Sequence, residues 1–376
     1  MGQFSGDTKG IMMWQMIERD IAKQRLVRQG LVKPTLETPT EVVAMLGAVQ
    51  AQDYAGSKWG LAQRTRGLTN AEVEKEIDDG MIVRTHILRP TWHFVAAADL
   101  GWMLALSAPR VHTANAYWYR WLEVDEAVAR RSRTALTKAL RDGKQLTRAE
   151  LGFVLERAKI QITDSRRLAA IMMRAELDGV VCSGARRGKQ FTYALLEERV
   201  VRPMVLERDA ALFELARRYF TTRGPATVDD FAWWSGLLKA DAKRGADAAA
   251  SELEHESIDG RSYWFAPGYR ARRSPSVLAH LLPNYDEYFI GLKDRRAFVA
   301  RLKASGVKAR TDGLSGNVLI VDGQIVGGWR RTLAKGTAVI EPRLLIRLRK
   351  AERRAVAAAV RRFGDFLELP AKIRWV

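Results

Sequence analysis

The chain has a single cysteine, Cys182, in 376 residues, so it can close no internal disulfide and build no cysteine-based zinc site. One thiol suits a reducing cytosol. The five histidines (His86, His93, His112, His255 and His280) include no His-x-x-x-His pair, so neither a metal nor any other cofactor is expected. No Gly-x-Ser-x-Gly elbow is present, which argues against a Ser-His-Asp triad. The stretch from Gly184 to Gln190 is one residue short of P-loop spacing and lacks its Ser or Thr, so nucleotide binding there is rejected. No run approaches the roughly 18 apolar residues that a membrane span needs. The start, Met1 to Asp7, lacks the basic-then-apolar order of a signal peptide, and Gly6 stands where a myristoylation motif wants Ser or Thr. The first ten residues read as a disordered lead-in, and the protein as cytoplasmic and nucleoid-associated.

Acidic residues are also in deficit. Lys and Arg number 62 against 43 Asp and Glu, a formal charge of +19 with a pI of about 10.2. That excess points to a polyanion, nucleic acid first, although charge alone predicts attraction rather than chemistry. The 47% hydrophobic content fills packed cores, and the length suits roughly two to four domains.

The pattern along the chain is repetitive. Residues from about Ile11 to Gln29 form an amphipathic helix stopped by Gly30. Thr38-Pro39-Thr40-Glu41 is a capping box with proline at the first helical position, and Val42, Met45, Leu46 and Val49 supply the buried stripe of a second helix. Thr69 to Glu72 opens a third, ending at Gly80. Met81 to Ile87 and Thr91 to Val95 then read as a hairpin. Three helices followed by a hairpin is the order of a winged helix. After Pro109 the order repeats: helices at about Asp125 to Arg141, after the capping box Thr147 to Glu150, and at Ser165 to Leu177, then strands around a basic wing, Gly184 to Lys189. From Val205 it recurs less regularly, through Gly224-Pro225-Ala226-Thr227 to a hairpin turned at Asp259-Gly260. The last hundred residues change character. Asp322-Gly323 turns a strong hairpin, Thr337 to Ile340 adds a strand, and a basic helix is expected from Pro342 to about Phe363. The expected fold is therefore α+β, with three tandem winged-helix modules (11–110, 120–200 and 205–270) and a C-terminal β-rich, barrel-like domain with a closing helix (275–376).

Gln50 and Gln52 do not fit the buried stripe. On a helix they would point about 200° apart, whereas on extended backbone they share a face. A paired role requires the helix to stop near Gln50, which the turn formers Asp53 to Ser57 make plausible. As plain structure, the glutamines are polar helix-end residues and Asp53 caps the next turn. Gln50-Ala51-Gln52, followed by Trp59-Gly60, resembles the Gln-x-Gln signature of the AlkZ-like family of bacterial DNA glycosylases. The hairpin residues Arg84 to His86 and Arg89 to Phe94, the stretch Gly224 to Phe231, and Leu281 to Tyr288 are similar to other segments of that family.

The resemblance implies a monofunctional DNA glycosylase that hydrolyses the N-glycosidic bond of N7-alkylated purines, bulky or crosslinked. Glutamine has no useful basicity, but its carbonyl can orient a water and steady developing positive charge. That suffices when the leaving purine is already cationic. Gln50 and Gln52 would place the water, and Asp53 is a third catalytic candidate. No lysine lies beside the pair to form a Schiff base, so lyase activity is not expected. Candidate DNA contacts are Arg84, His86, Arg89 and His93 on the hairpin, and Arg166, Arg167, Arg186, Arg187 and Lys189 in the second module. Trp92 stacks on a base or packs beneath the wing, the latter being the better fit. Asp286 and Glu287 read as acidic site residues or as buttresses of the arginine-rich surface around them, the latter being the better fit. The partner is double-stranded DNA, bound by a monomer without a membrane. The rival reading is a non-catalytic winged-helix DNA-binding protein or transcriptional regulator, although such proteins commonly dimerise on two half-sites.

Overall fold

Four helices begin at a threonine whose hydroxyl accepts the third amide while an acid at that position reaches back: Thr38 with Glu41, Thr69 with Glu72, Thr147 with Glu150 and Thr227 with Asp230. These reciprocal caps satisfy two otherwise orphaned donors each and fix where the helices start. They punctuate a mixed α+β chain, seen here in a computed structural model that describes residues 21–258, 260–268, 276–307, 316–334 and 336–375. Of the expected first helix, residues 21–28 (α1) are helical, and its earlier part, like the lead-in, lies outside the described residues.

α2 (Pro39–Leu46), β1 (Val49–Gln50), α3 (Tyr54–Ala62), α4 (Asn70–Asp78), β2 (Ile82–Ile87) and β3 (Arg89–Ala96) follow, with sheet order β1-β3-β2. α5 (Leu100–Trp121) was not expected: its Pro109 reads as a breaker, yet the helix runs through it and through the gap expected between modules. An interior proline costs a helix about 3 kcal/mol. Burial of Trp102, Met103, Leu106 and Val111 on the same helix offsets that.

Next come α6 (Glu126–Leu140), β4 (Leu146–Thr147), α7 (Arg148–Arg157), α8 (Ser165–Leu177), β5 (Val181–Ser183), β6 (Thr192–Leu195) and the short α9 (Leu196–Arg199), with sheet order β4-β6-β5. This unit keeps its own core, around Leu136, Leu151, Leu155 and Ile171. α10 (Arg208–Arg223), α11 (Val228–Ser235), α12 (Lys239–Ala248) and the antiparallel pair β7 (Glu254–Ile258) and β8 (Arg261–Phe265) share a core with the first hairpin.

The C-terminal part contains β9 (Ala279–Leu282), α13 (Glu287–Ile290), α14 (Ala300–Ala304), β10 (Val318–Val321), β11 (Gln324–Ala334), β12 (Thr337–Leu344), α15 (Lys350–Leu367) and β13 (Ala371–Ile373). Its five strands run in the order β13-β12-β11-β10-β9. Pro342 lies in β12 opposite Trp329 rather than opening the closing helix. β13 pairs only with residues 338 to 340 of β12, so the missing proline N–H leaves no rung empty on that side. The helix starts instead at Lys350, where the Glu352 carboxylate accepts the Arg349 amide at 2.8 Å and its guanidinium at 3.1 and 2.8 Å.

Candidate active site

Gly47 adopts φ 78° and ends α2 after Leu46, a left-handed conformation that glycine takes at no steric cost. The helix thus stops earlier than its apolar stripe suggests. Val49 and Gln50 become a strand, with Gln50 opposite His93 of β3. The chain then bends, and the Asp53 carboxylate accepts the Gly56 amide at 3.0 Å as the N-cap of α3.

On this short stretch Gln50 is held on every side. Its Nε2 donates to Gln52 Oε1 at 2.6 Å, and its Oε1 accepts from an Arg89 guanidinium nitrogen at 2.9 Å. The backbone N–H of Gln50 donates to Glu287 Oε1 at 2.9 Å, and its carbonyl accepts the Ser57 hydroxyl at 2.9 Å. Gln50 is only 5% exposed, whereas Gln52 is exposed. The pair therefore offers one fixed and one accessible amide, each carbonyl oxygen keeping a second lone pair.

Behind Gln50, the other oxygen of Glu287 accepts from Arg223 at 2.6 Å and from Trp234 Nε1 at 2.9 Å. Both side chains of this ion pair are fully buried. Arg223 also donates to the carbonyls of Leu46 and Ala48, just before β1. A second buried pair lies nearby, Arg64 to Asp286 at 3.0 and 2.8 Å. Asp286 and Glu287 are thus interior frame, not buttresses of a basic surface. Isolated carboxylates there would cost several kcal/mol each, and only complete hydrogen bonding makes their burial tolerable.

The β2–β3 hairpin divides its four candidate DNA contacts between two faces, because side chains alternate along a strand. Arg89 and His93 share the face of Gln50. His93 is completely buried and its Nδ1 lies 2.9 Å from the Thr91 carbonyl. Burial, then the Arg89 charge, holds its pKa well below the ordinary value, so the imidazole is neutral. Burial likewise lowers the Arg89 guanidinium, which sits 5.0 Å from the Trp233 ring centroid. Arg84 and His86 lie on the opposite face with Trp92. Arg84 donates to the Ala51 carbonyl at 3.0 Å and covers Trp92 at 4.1 Å. The His86 ring lies 4.0 Å from that of Trp92, tilted by 42°, and bonds through Nδ1 to buried Glu176. Trp92 packs against the core of the second unit.

The remaining candidates are scattered. Arg166 is exposed beside Trp121, 4.8 Å from its ring centroid. Arg167 is 7% exposed and spends its guanidinium on the Gln161 and Leu122 carbonyls. Arg186 lies 5.2 Å from both Tyr54 and Phe191 and joins the wing to the first unit. Arg187 bonds Glu150 and the Gln145 carbonyl, and Lys189 is exposed. Among the described residues no cluster of three His, Cys, Asp or Glu could hold a metal ion, and no helix is long and apolar enough to cross a membrane.

A family model for the AlkZ-like DNA glycosylases matches residues 43–366. The chain belongs to the AlkZ-like DNA glycosylases. That membership favours the enzyme over the regulator. The chain is similar to an interstrand DNA cross-link repair glycosylase of Streptomyces sahachiroi, 26% identical over 326 residues, or 83% of this chain and 87% of the relative. The solved structure of the DNA glycosylase AlkZ from the same organism has a like fold, with a TM-score of 0.76 at 23% identity, covering 95% of this chain and 99% of that one.

Glu287, Arg223, Trp234 and Ser57 hold the glutamine strand; the last three were not expected from the sequence, and Glu287 was read there without this partner. For Glu287 the available signal is its neighbourhood: two adjacent acids followed by Tyr288, Phe289 and Ile290 in a stretch that opens with Leu281 and Leu282. Such a placement marks carboxylates that must find buried partners.

Proposed function

We propose that the enzyme hydrolyses the N-glycosidic bond of N7-alkylated purines, bulky monoadducts and interstrand crosslinks included, as a monofunctional glycosylase. One observation carries this reading: the Gln50–Gln52 side-chain hydrogen bond of 2.6 Å, on a strand end where Gln52 is exposed. The name of the 26% identical relative supports the crosslink part.

A water that donates to the free lone pairs of both carbonyl oxygens turns its own lone pair outward. An N7-alkylated purine leaves with the electron pair of its C–N bond and becomes neutral. The sugar is left as an oxocarbenium-like cation, which the water oxygen traps at C1′ while its proton passes to solvent. No strong base is needed, so a neutral purine is a poor substrate. Asp53 spends one oxygen on the cap of α3, and its role is to hold the bend that presents Gln52.

The DNA is double-stranded and the protein acts as a monomer in the cytoplasm, associated with the nucleoid. Three winged-helix modules are supported by the recurring order of helix, short strand or bridge, two helices and hairpin, seen at α2–β3, α6–β6 and α10–β8. The test is single-turnover incubation of duplex DNA containing one N7-methylguanine, followed by alkaline cleavage, with wild type, Gln50→Ala, Gln52→Ala and Asp53→Ala. Product lost in the glutamine variants with DNA binding intact is the expected result. No product from wild type on this lesion, a bulkier N7 adduct or a crosslink would overturn the reading.

A further inference from the structure

On the hairpin face turned away from Gln50 lies an open cleft of about 470 Å³ between the hairpin and the second unit, within the range of roughly 300–1,000 Å³ typical of ligand sites. Its walls are His86, Trp92, Trp118, Met172, Met173 and Tyr193, and Arg148 and Arg166 stand among its lining. Among the described residues no carboxylate lines it. The end of α5 beside it exposes three rings: Tyr117 at 63%, Trp118 at 51% and Trp121 at 47%. A contiguous exposed aromatic patch of this kind marks an interaction surface rather than a core.

The occupant follows from the chemistry of the walls. Flat rings and thioethers take a planar aromatic face. Arg148 spends one N–H on the Ser165 carbonyl and Arg166 spends two on the Asp164 carboxylate, so their remaining N–H groups take an anion attached to that face. Buried Glu176 occupies His86 Nδ1, which leaves Nε2 as the ring edge available to a polar ligand edge. In a chain of charge +19, the ligand that joins a planar ring to a phosphate is a nucleotide.

We infer that this cleft takes an unpaired nucleobase of the bound DNA, with its flanking phosphate on Arg148 and Arg166. It is a base other than the one whose bond the glutamines address. The alternation along β3 requires this distinction: Trp92 and His93 are neighbours, and His93 faces Gln50 while Trp92 faces the cleft. The hairpin is therefore a partition between a reacting base and a base displaced from the stack. The inference rests on the DNA reading above, and it adds a second binding site to it.

The test uses the full chain and two duplexes, one fully paired and one carrying a single extrahelical 2-aminopurine, read by anisotropy and by 2-aminopurine fluorescence. Wild type is expected to bind the extrahelical duplex about tenfold more tightly and to quench its fluorescence, an effect of the size that stacking one base on an aromatic ring gives. Trp118→Ala should bring the ratio of affinities near one and abolish the quench, and Trp118→Phe should restore most of both. A wild type without the preference, or a Trp118→Ala protein that keeps it, overturns the inference. Excision of N7-methylguanine by a wild type that lacks the preference removes the cleft site alone. A preference that persists in a protein unable to excise any N7 adduct leaves the cleft standing and removes the proposed reaction.

Discussion

The two faces of the β2–β3 hairpin are built on opposite plans. On the Gln50 face the strand and its glutamine are tied by Arg89, Glu287 and Ser57, and His93 is wholly buried. On the other face Trp92 and His86 line an open cleft beside exposed tryptophans. Reacting groups gain from preorganisation, because geometry fixed in folding is not fixed again at each turnover. A surface that takes DNA of varied sequence gains from rings that accept any base. Rigid and adaptable halves thus share one two-stranded wall.

Four experiments test this contrast. Glu287→Ala leaves Arg223 charged, buried and unpaired, so urea unfolding should show a loss of about 3–5 kcal/mol. Wherever the variant remains folded, excision should fall while any preference for an extrahelical base survives. Equal loss of both would erase the distinction between the faces. Gln52→Ala should lower single-turnover excision of N7-methylguanine by about 10²–10³-fold, the scale of removing one oriented dipole from a reaction centre. Its affinity for undamaged duplex should stay within about twofold, as measured by anisotropy.

The third experiment concerns pH. Folded His93 takes up a proton only well below 6.5, whereas in the unfolded chain it does so near 6.5. The unfolded state binds the extra proton in that window, so stability falls as the pH drops below about 6.5, by up to about 1.4 kcal/mol per pH unit for each such histidine. His280 adds to the slope, its pKa pushed down to about 3 by burial and then by Arg362 and Arg64. Urea midpoints between pH 7 and 4 should show a shallower slope in His280→Leu, and an unchanged slope would refute the assignment. Asp53→Ala should cost about 1 kcal/mol, the worth of an N-cap. If its excision defect, measured at a temperature where it is fully folded, exceeds that of Gln52→Ala, the carboxylate is the base and the glutamines are its scaffold.

Local chemistry was legible wherever the determinants are neighbours in sequence. The capping boxes at Thr38, Thr69, Thr147 and Thr227 and the Asp322-Gly323 turn stand where their residues indicate. α5 was hidden because Pro109 argues locally for a break, while the packing that overrides it comes from other elements. Arg84 and Arg167 carry the same charge as any groove-facing arginine, and only the fold shows that their guanidiniums turn to Ala51, Gln161 and Leu122. For the site, adjacency made the glutamine pair visible. The grip on the Gln50 amide was not visible, because it comes from a residue 237 positions away.

That separation has a consequence for how the enzyme comes into being. A ribosome adding about 5–20 residues per second needs roughly 10–50 s between Gln50 and Glu287. Until then the strand that bears the glutamines has neither its carboxylate nor the Arg223 clamp, which itself needs Glu287 to neutralise it. Nascent chains can fold their first helices early, but the proposed reaction centre is finished only once Glu287 has emerged. Any product cut short before Glu287 would carry the full glutamine motif and no frame to hold it.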